Sequence, residues 1–236
     1  MKKVFRIFVL HIFMIAYGTV PLSAQTNDTI DKWDNQMYIS NKVAWSKEDW
    51  RYTGEFQIRT YQNTRELQQY FIEGVATYMP SEHWEVVPDL RVTVYPERFE
   101  LRLGMGTIYK QYWEKKRKNQ LAHQMKYQLD TENGGVFKHG FRYIVFHNAV
   151  LNDKFLISSA AGGFYRWSDS FTGLQFLRAM TGLGYSFDKQ HIVSISYFVG
   201  AENRGDYWSY IGGPVIQLVI RFDDDFKYVP AKYISF

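Results

Sequence analysis

The sequence predicts an all-β protein, a closed antiparallel transmembrane β-barrel of about 10–12 strands. Three observations predict it. Strand-length segments alternate apolar and polar side chains with a period of two along most of the chain, as a pleated backbone requires. Aromatic residues gather near the ends of those segments: Tyr78 and Trp84, Tyr95 and Phe99, Tyr109 and Trp113, Tyr165 and Trp167, and Tyr207, Trp208 and Tyr210. Mean hydropathy is −0.35, and no stretch beyond the first residues is apolar enough for a membrane helix. A chain of this kind crosses a bilayer only as a closed barrel, whose strands are half apolar.

The first residues stand apart from that plan. In "MKKVFRIFVLHIFMIAYGTVPLSA", Lys2, Lys3 and Arg6 flank an apolar run from Ile7 to Tyr17, and Leu22-Ser23-Ala24 supplies a small-residue cleavage site. This is the three-part pattern of a secretory signal peptide. The expected organisation is a signal peptide over 1–24, a barrel over 25–222, and a C-terminal tail or extra terminal strand over 223–236. Cleavage leaves 236 − 24 = 212 residues. The whole chain carries 28 Lys+Arg against 24 Asp+Glu, and without the three signal cations 28 − 3 = 25 oppose 24. That balance gives nucleic acid no electrostatic footing as a partner. Cysteine is absent, which excludes a lipoprotein thiol, a disulfide framework and a thiolate metal site. No cofactor and no metal is expected.

The segments follow one another closely. Trp33–Trp45 opens the series, and after "SKED" Trp50–Tyr61 sets Phe56 and Ile58 against Glu55, Gln57 and Arg59. Leu67–Met79 lies between "NTRE" and "PSEH". Trp84–Tyr95 sets Trp84, Val86, Leu90, Val92 and Val94 against Glu85, Asp89, Arg91 and Thr93. After "PER", Phe99–Trp113 sets Phe99, Leu101, Leu103 and Met105 against Glu100, Arg102, Gly104 and Gly106. The basic run "EKKRKN" reads as a solvated turn before Gln120–Asp130, and "TENGG" precedes Val136–His147. Phe155–Trp167 and Gly173–Phe187 follow, and within them Phe155–Phe164 and Gly173–Tyr185 alternate less cleanly, their Ala, Gly and Ser runs suggesting bulges or close packing. His191–Glu202 follows "DKQ", and "NRGDYWSYIGG", Asn203 to Gly213, reads as a longer loop before Pro214–Phe222. Eleven segments are countable, whereas single-chain bacterial barrels usually have an even number. The count becomes ten if Trp33–Trp45 does not span, or twelve if the tail adds a strand.

A barrel in lipid turns its apolar face outward and its polar face to the lumen. Leu90, Val92, Leu121, Met125, Tyr127 and Leu129 are the expected lipid-facing residues. Glu55, Arg59, Glu73, Asp89, Arg91, Glu100, Arg102, Lys126, Asp130 and Arg142 are the candidate lumen charges. Their signs nearly cancel, which suggests a charge-paired network filling a narrow interior, since a selective pore more often carries one sign in excess.

Trp50 followed by "GEFQIR", "HQMKYQLD" followed after a turn by "FRYIVFHN", and the turn "YSFDKQ" before the last strand pair carry a resemblance. In these motifs the chain resembles domain of unknown function 2490, a family of uncharacterised outer-membrane β-barrel proteins. The resemblance covers nearly the whole mature chain and implies a signal peptide and an outer-membrane location. One departure is the 14-residue tail after Phe222. Assembly machinery for such barrels reads a terminal aromatic, and Phe222 and Phe236 both fit.

No Gly-x-Ser-x-Gly elbow, His-Glu-x-x-His or phosphate-cradling glycine motif is present, so no catalytic residue is assigned. The expected role is a small structural or narrow-pore barrel, its partners the outer-membrane lipids and, during insertion, the barrel assembly machinery, with the protein acting as a monomer. Two other classes stay open. One is a lipid-modifying barrel enzyme, an acyl hydrolase or transferase using His123 near Ser158 or Ser196. The other is a secreted soluble binding barrel. The glycines of "LGMG" and "AAGGF" either clear room for a ligand or accept a neighbouring side chain.

Overall fold

The computed structural model describes residues 33–113, 119–133, 135–169, 171–188, 191–222 and 225–227. The signal segment, the "EKKRK" turn and all but residues 225–227 of the tail lie outside the described residues. The strands are β1 (Trp33–Asn35), β2 (Met37–Glu48), β3 (Trp50–Tyr61), β4 (Glu66–Tyr78), β5 (Trp84–Val94), β6 (Phe99–Trp113), β7 (Asn119–Glu132), β8 (Val136–Val150), β9 (Phe155–Ser168), β10 (Phe171–Ser186), β11 (His191–Asn203), β12 (Trp208–Arg221) and β13 (Asp225–Phe226).

From β2 to β12 each strand pairs antiparallel with the next, and β12 then pairs with β2, closing the sheet into a barrel. The wall therefore has eleven strands, neither ten nor twelve. The closing pair is parallel, Tyr38 beside Val215 through Ala44 beside Arg221, which corrects the expectation of a wholly antiparallel barrel. The reason is topological: an up-and-down chain with an odd number of strands starts and finishes in the same direction. Trp33–Trp45 does span, and its short start β1 pairs with β12 in the register that β2 continues, Trp33 opposite Tyr210. The described part of the tail adds no strand of its own to the wall; β13 prolongs the seam against Lys47 and Glu48.

Other local departures have identifiable causes. The stretch Asn203 to Gly213 is no long loop, because β12 begins at Trp208 and only 204–207 connect it to β11. Gly205, at φ +97°, makes that turn. Gly212 and Gly213 belong to the seam instead: a Cβ on Gly212 would press on the Trp33 ring, and one on Gly213 would overlap the Gln36 carbonyl. Gln36 interrupts the strand between β1 and β2 while its N–H donates to the Gly212 carbonyl at 2.9 Å. The connections between successive wall strands are thus all short. The irregular alternation of the ninth and tenth strands reflects a register shift between Leu174 and Phe176. Pro88 lacks an N–H, and the β4–β5 ladder is bare between Asp89 and Val86.

Gly213→Ala should lower stability by about 1–3 kcal/mol through this overlap. Gly74, with open space where a Cβ would stand, should accept Ala within about 0.5 kcal/mol. Thermal unfolding of the folded protein in detergent measures both.

Candidate functional site

Along each strand the pleat sends neighbouring side chains to opposite sides of the wall. Phe71 is 1% exposed and Ile72 63%; Met125 is 51% exposed and Lys126 4%. The outer side carries Leu90, Val92, Leu103, Met105, Tyr127, Leu177, Leu183 and Ile195, all exposed, with Leu121 and Leu129 half-buried among them. Aromatic rings bracket this surface. Near the rim that holds the β2–β3 and β4–β5 turns, Trp45 stacks on Tyr52 at 5.4 Å, Trp50 meets Tyr78 at 4.9 Å, Trp84 meets Tyr109 at 4.9 Å and Trp113 stacks on His147 at 5.5 Å. Toward the opposite rim, His139 stacks on Trp167 at 6.0 Å and Trp167 meets Tyr165 at 6.1 Å.

The inner side gathers the charges. Near the first rim Lys110 and Glu85, both fully buried, pair at 3.0 Å, with Arg51 at 3.9 Å from the same carboxylate. Deeper, Lys42 meets Glu55 at 3.2 Å, and the Ser40 hydroxyl donates to Glu55 at 2.6 Å while accepting from Gln217 at 3.2 Å across the parallel seam. Arg91 pairs with Glu73 at 3.1 Å, and Lys126 reaches Asp89 at 2.5 Å and Glu73 at 3.9 Å. Toward the second rim, Asp130 accepts from Arg102 and from Arg166, each at 2.6 Å, and Glu100 lies 3.4 Å from Arg102. Glu202 takes Arg178 at 2.5 Å and Arg204 at 2.8 Å.

Guanidinium groups and rings join these pairs around the interior. Arg91 lies 4.0 Å from the Phe71 ring centre, and Arg59 lies between Phe71 at 5.3 Å and Tyr38 at 4.5 Å. Tyr38 stacks on Phe198 at 4.7 Å, and Arg178 sits over Phe198 at 5.8 Å and Phe176 at 4.8 Å. Phe176 stacks on Phe164 at 5.2 Å, which Arg166 covers at 5.3 Å. Contacts of this kind gain strength when desolvated. Two glycines make room for them: a Cβ at Gly104 would strike the Asp89 carboxylate and the Lys126 stem, and one at Gly140 would enter the Phe164 ring.

Of the ten charges picked from the sequence, Glu55, Arg59, Glu73, Asp89, Arg91, Glu100, Lys126 and Asp130 are buried on the inner side, and Arg102 and Arg142 are half-buried there. Arg142 meets no carboxylate within ion-pair distance among the described residues; it donates to the Gln124 amide oxygen at 3.2 Å. Sequence reasoning missed Lys42, Arg51, Glu85, Lys110, Arg166, Arg178 and Glu202 as members, together with the inward rings Tyr38, Phe71, Phe164, Phe176 and Phe198. Counting every second residue from a known inward neighbour finds most of them. The serine and histidine considered for acyl chemistry do not come together. His123 is on the outer side, hydrogen-bonded to the Tyr143 hydroxyl at 2.8 Å, while Ser158 and Ser196 are buried inside, bonded to Asn148 at 2.7 Å and to the Val215 carbonyl at 3.4 Å. The wall separates them because their positions differ in parity on the pleat.

The sequence matches no protein-family model and no curated protein. Among solved structures, the fold has similarity to one described as "NanC porin structure in rhombohedral crystal form", with a TM-score of 0.49 and 10% sequence identity over 70% of this chain and 86% of that one.

Removing one member of a desolvated pair strands the other, at a typical cost of ~3–5 kcal/mol. Glu73→Ala and Arg102→Ala should therefore lower the unfolding temperature of the detergent-folded protein well beyond Leu121→Ala on the outer side. Equal losses would mean that the interior pairs contribute little.

Proposed function

We propose that this chain is an outer-membrane β-barrel, exported through its N-terminal signal and inserted as a monomer by the barrel assembly machinery. Its role is that of a small structural or narrow-pore barrel with a charge-paired lumen. The observation that carries the reading is the reversal of environment across the wall: Ile72 at 63% exposure beside Phe71 at 1%, repeated from strand to strand. A continuous apolar outer surface between aromatic girdles is unfavourable in water and suited to hydrocarbon, and a closed sheet leaves no unpaired edge for lipid to meet. This favours the membrane over the soluble binding barrel.

The filled interior supports the second half of the proposal. Lys110, Asp130, Ile108 and Ala122 have no exposure on the inner side, and an open aqueous channel would wet such residues. Paired side chains obstruct a pore and oppose steady ion flow. The separation of His123 from Ser158 and Ser196 removes the arrangement that favoured a lipid-modifying enzyme. Membership of the domain of unknown function 2490 family belongs to the same proposal and rests on the motifs quoted above, which fall in β3, β7, β8 and the β10–β11 turn.

Two measurements test it. The mature protein should fractionate with the outer membrane and migrate faster on gels before heating than after; recovery in the soluble fraction would reject the location. In planar bilayers the wild type should give little or no steady conductance, and a large stable conductance would replace the closed lumen with a channel.

A further inference from the structure

We propose that the interior contains a binding site for a small oxyanion, a carboxylate or phosphate group, centred on the Arg142 guanidinium. The inference deepens the closed-lumen reading and rests on it only for the poor hydration of the interior. Arg142 projects inward from the middle of β8, opposite Lys126 on β7 and Phe164 on β9. Among the described residues its side chain donates to an uncharged group, Gln124, and its Nε is buried without an acceptor. The carboxylates that act on it electrostatically, Glu73 and Asp89, are already engaged by Arg91 and Lys126. Arg91 and Arg102 add further positive charge at this level. Arg91, Arg102 and Lys126 each hold a carboxylate, whereas among the described residues Arg142 meets none within ion-pair distance.

A guanidinium away from water is costly without a counter-charge. Its planar fork of N–H donors matches the two oxygens of a carboxylate or phosphate, so an oxyanion answers both the charge and the open donor.

The full chain, folded in detergent, can be titrated calorimetrically with inorganic phosphate and separately with acetate, against chloride at matched ionic strength. Saturable binding of one oxyanion per barrel is expected, together with a phosphate-dependent rise in unfolding temperature. Arg142→Gln should weaken binding at least about tenfold, and Arg142→Lys should retain part of it because charge is kept but the fork is lost. Glu73→Gln, which removes a competing carboxylate, should strengthen it, and Arg204→Gln at the rim should leave it unchanged. If Arg142→Gln does not fold, Arg142→Lys and the wild-type stabilisation decide. Phosphate and acetate heats equal to chloride, or binding unaltered in both Arg142 variants, would overturn the site. Free conduction by the wild type overturns the closed lumen alone, because equilibrium titration reads the site in either case.

Discussion

Closure of an odd-stranded sheet is the constraint from which the rest of the structure follows. A cylinder leaves no free edge, so each backbone donor and acceptor along the wall can find a partner within it. Eleven alternating strands can meet only through one parallel pair, and the seam between β2 and β12 carries the adjustments this requires. Parallel ladders have slanted bonds and no hairpin to set their register. Here Gln36 breaks the strand, Gly212 and Gly213 let the backbone and the Trp33 ring approach, and Gln217 and Ser40 link the inner side across the junction. Once that register is set, the pleat assigns every wall side chain to the outer or the inner side.

The inner assignment creates a second problem, since a barrel of this size brings many charges out of water together. Desolvated ion pairs near break-even energetically, so their value lies more in specifying one arrangement than in net stabilisation. The interior uses shared partners to that end: Asp130 holds two guanidinium groups, Glu73 lies between Arg91 and Lys126, and Glu85 lies between Lys110 and Arg51. Rings of Phe71, Tyr38, Phe198, Phe176 and Phe164 fill the intervals and receive guanidinium faces. A change at one member is therefore transmitted to neighbours on two or three strands. Among the described residues this sharing leaves Arg142 no carboxylate within ion-pair distance.

Period-two alternation made the walls legible from the sequence. Trp50–Tyr61 and Phe99–Trp113 coincide with β3 and β6 at both ends, and the outward positions of Met125 and Tyr127 follow from parity alone. What alternation could not convey is who stands beside whom around the circumference. Phe71 and Tyr38 are apolar by type yet inward by parity, because the interior needs rings between its charges. The "GG" before Pro214 looked like a turn because glycine serves both tight turns and close backbone approach, and only the neighbouring strand distinguishes the two. That Arg142 meets an amide and no carboxylate among the described residues is likewise a property of the closed sheet and of no single segment.

The polar groups left on the outer side follow the same logic as those inside. Several of them are satisfied along the wall itself, by neighbours on the adjoining strand. Ser159 on β9 bonds Thr181 on β10 at 2.9 Å, and His123 and Tyr127 on β7 bond Tyr143 and His139 on β8 at 2.8 and 2.5 Å. In water such exposed hydroxyls and imidazoles would need no protein partner. Their lateral pairing, set among exposed Leu, Ile, Met and Val side chains, accords with the membrane setting proposed above. It also engages His123, Tyr143, Tyr127 and His139 with one another, so these imidazoles and hydroxyls serve the wall itself.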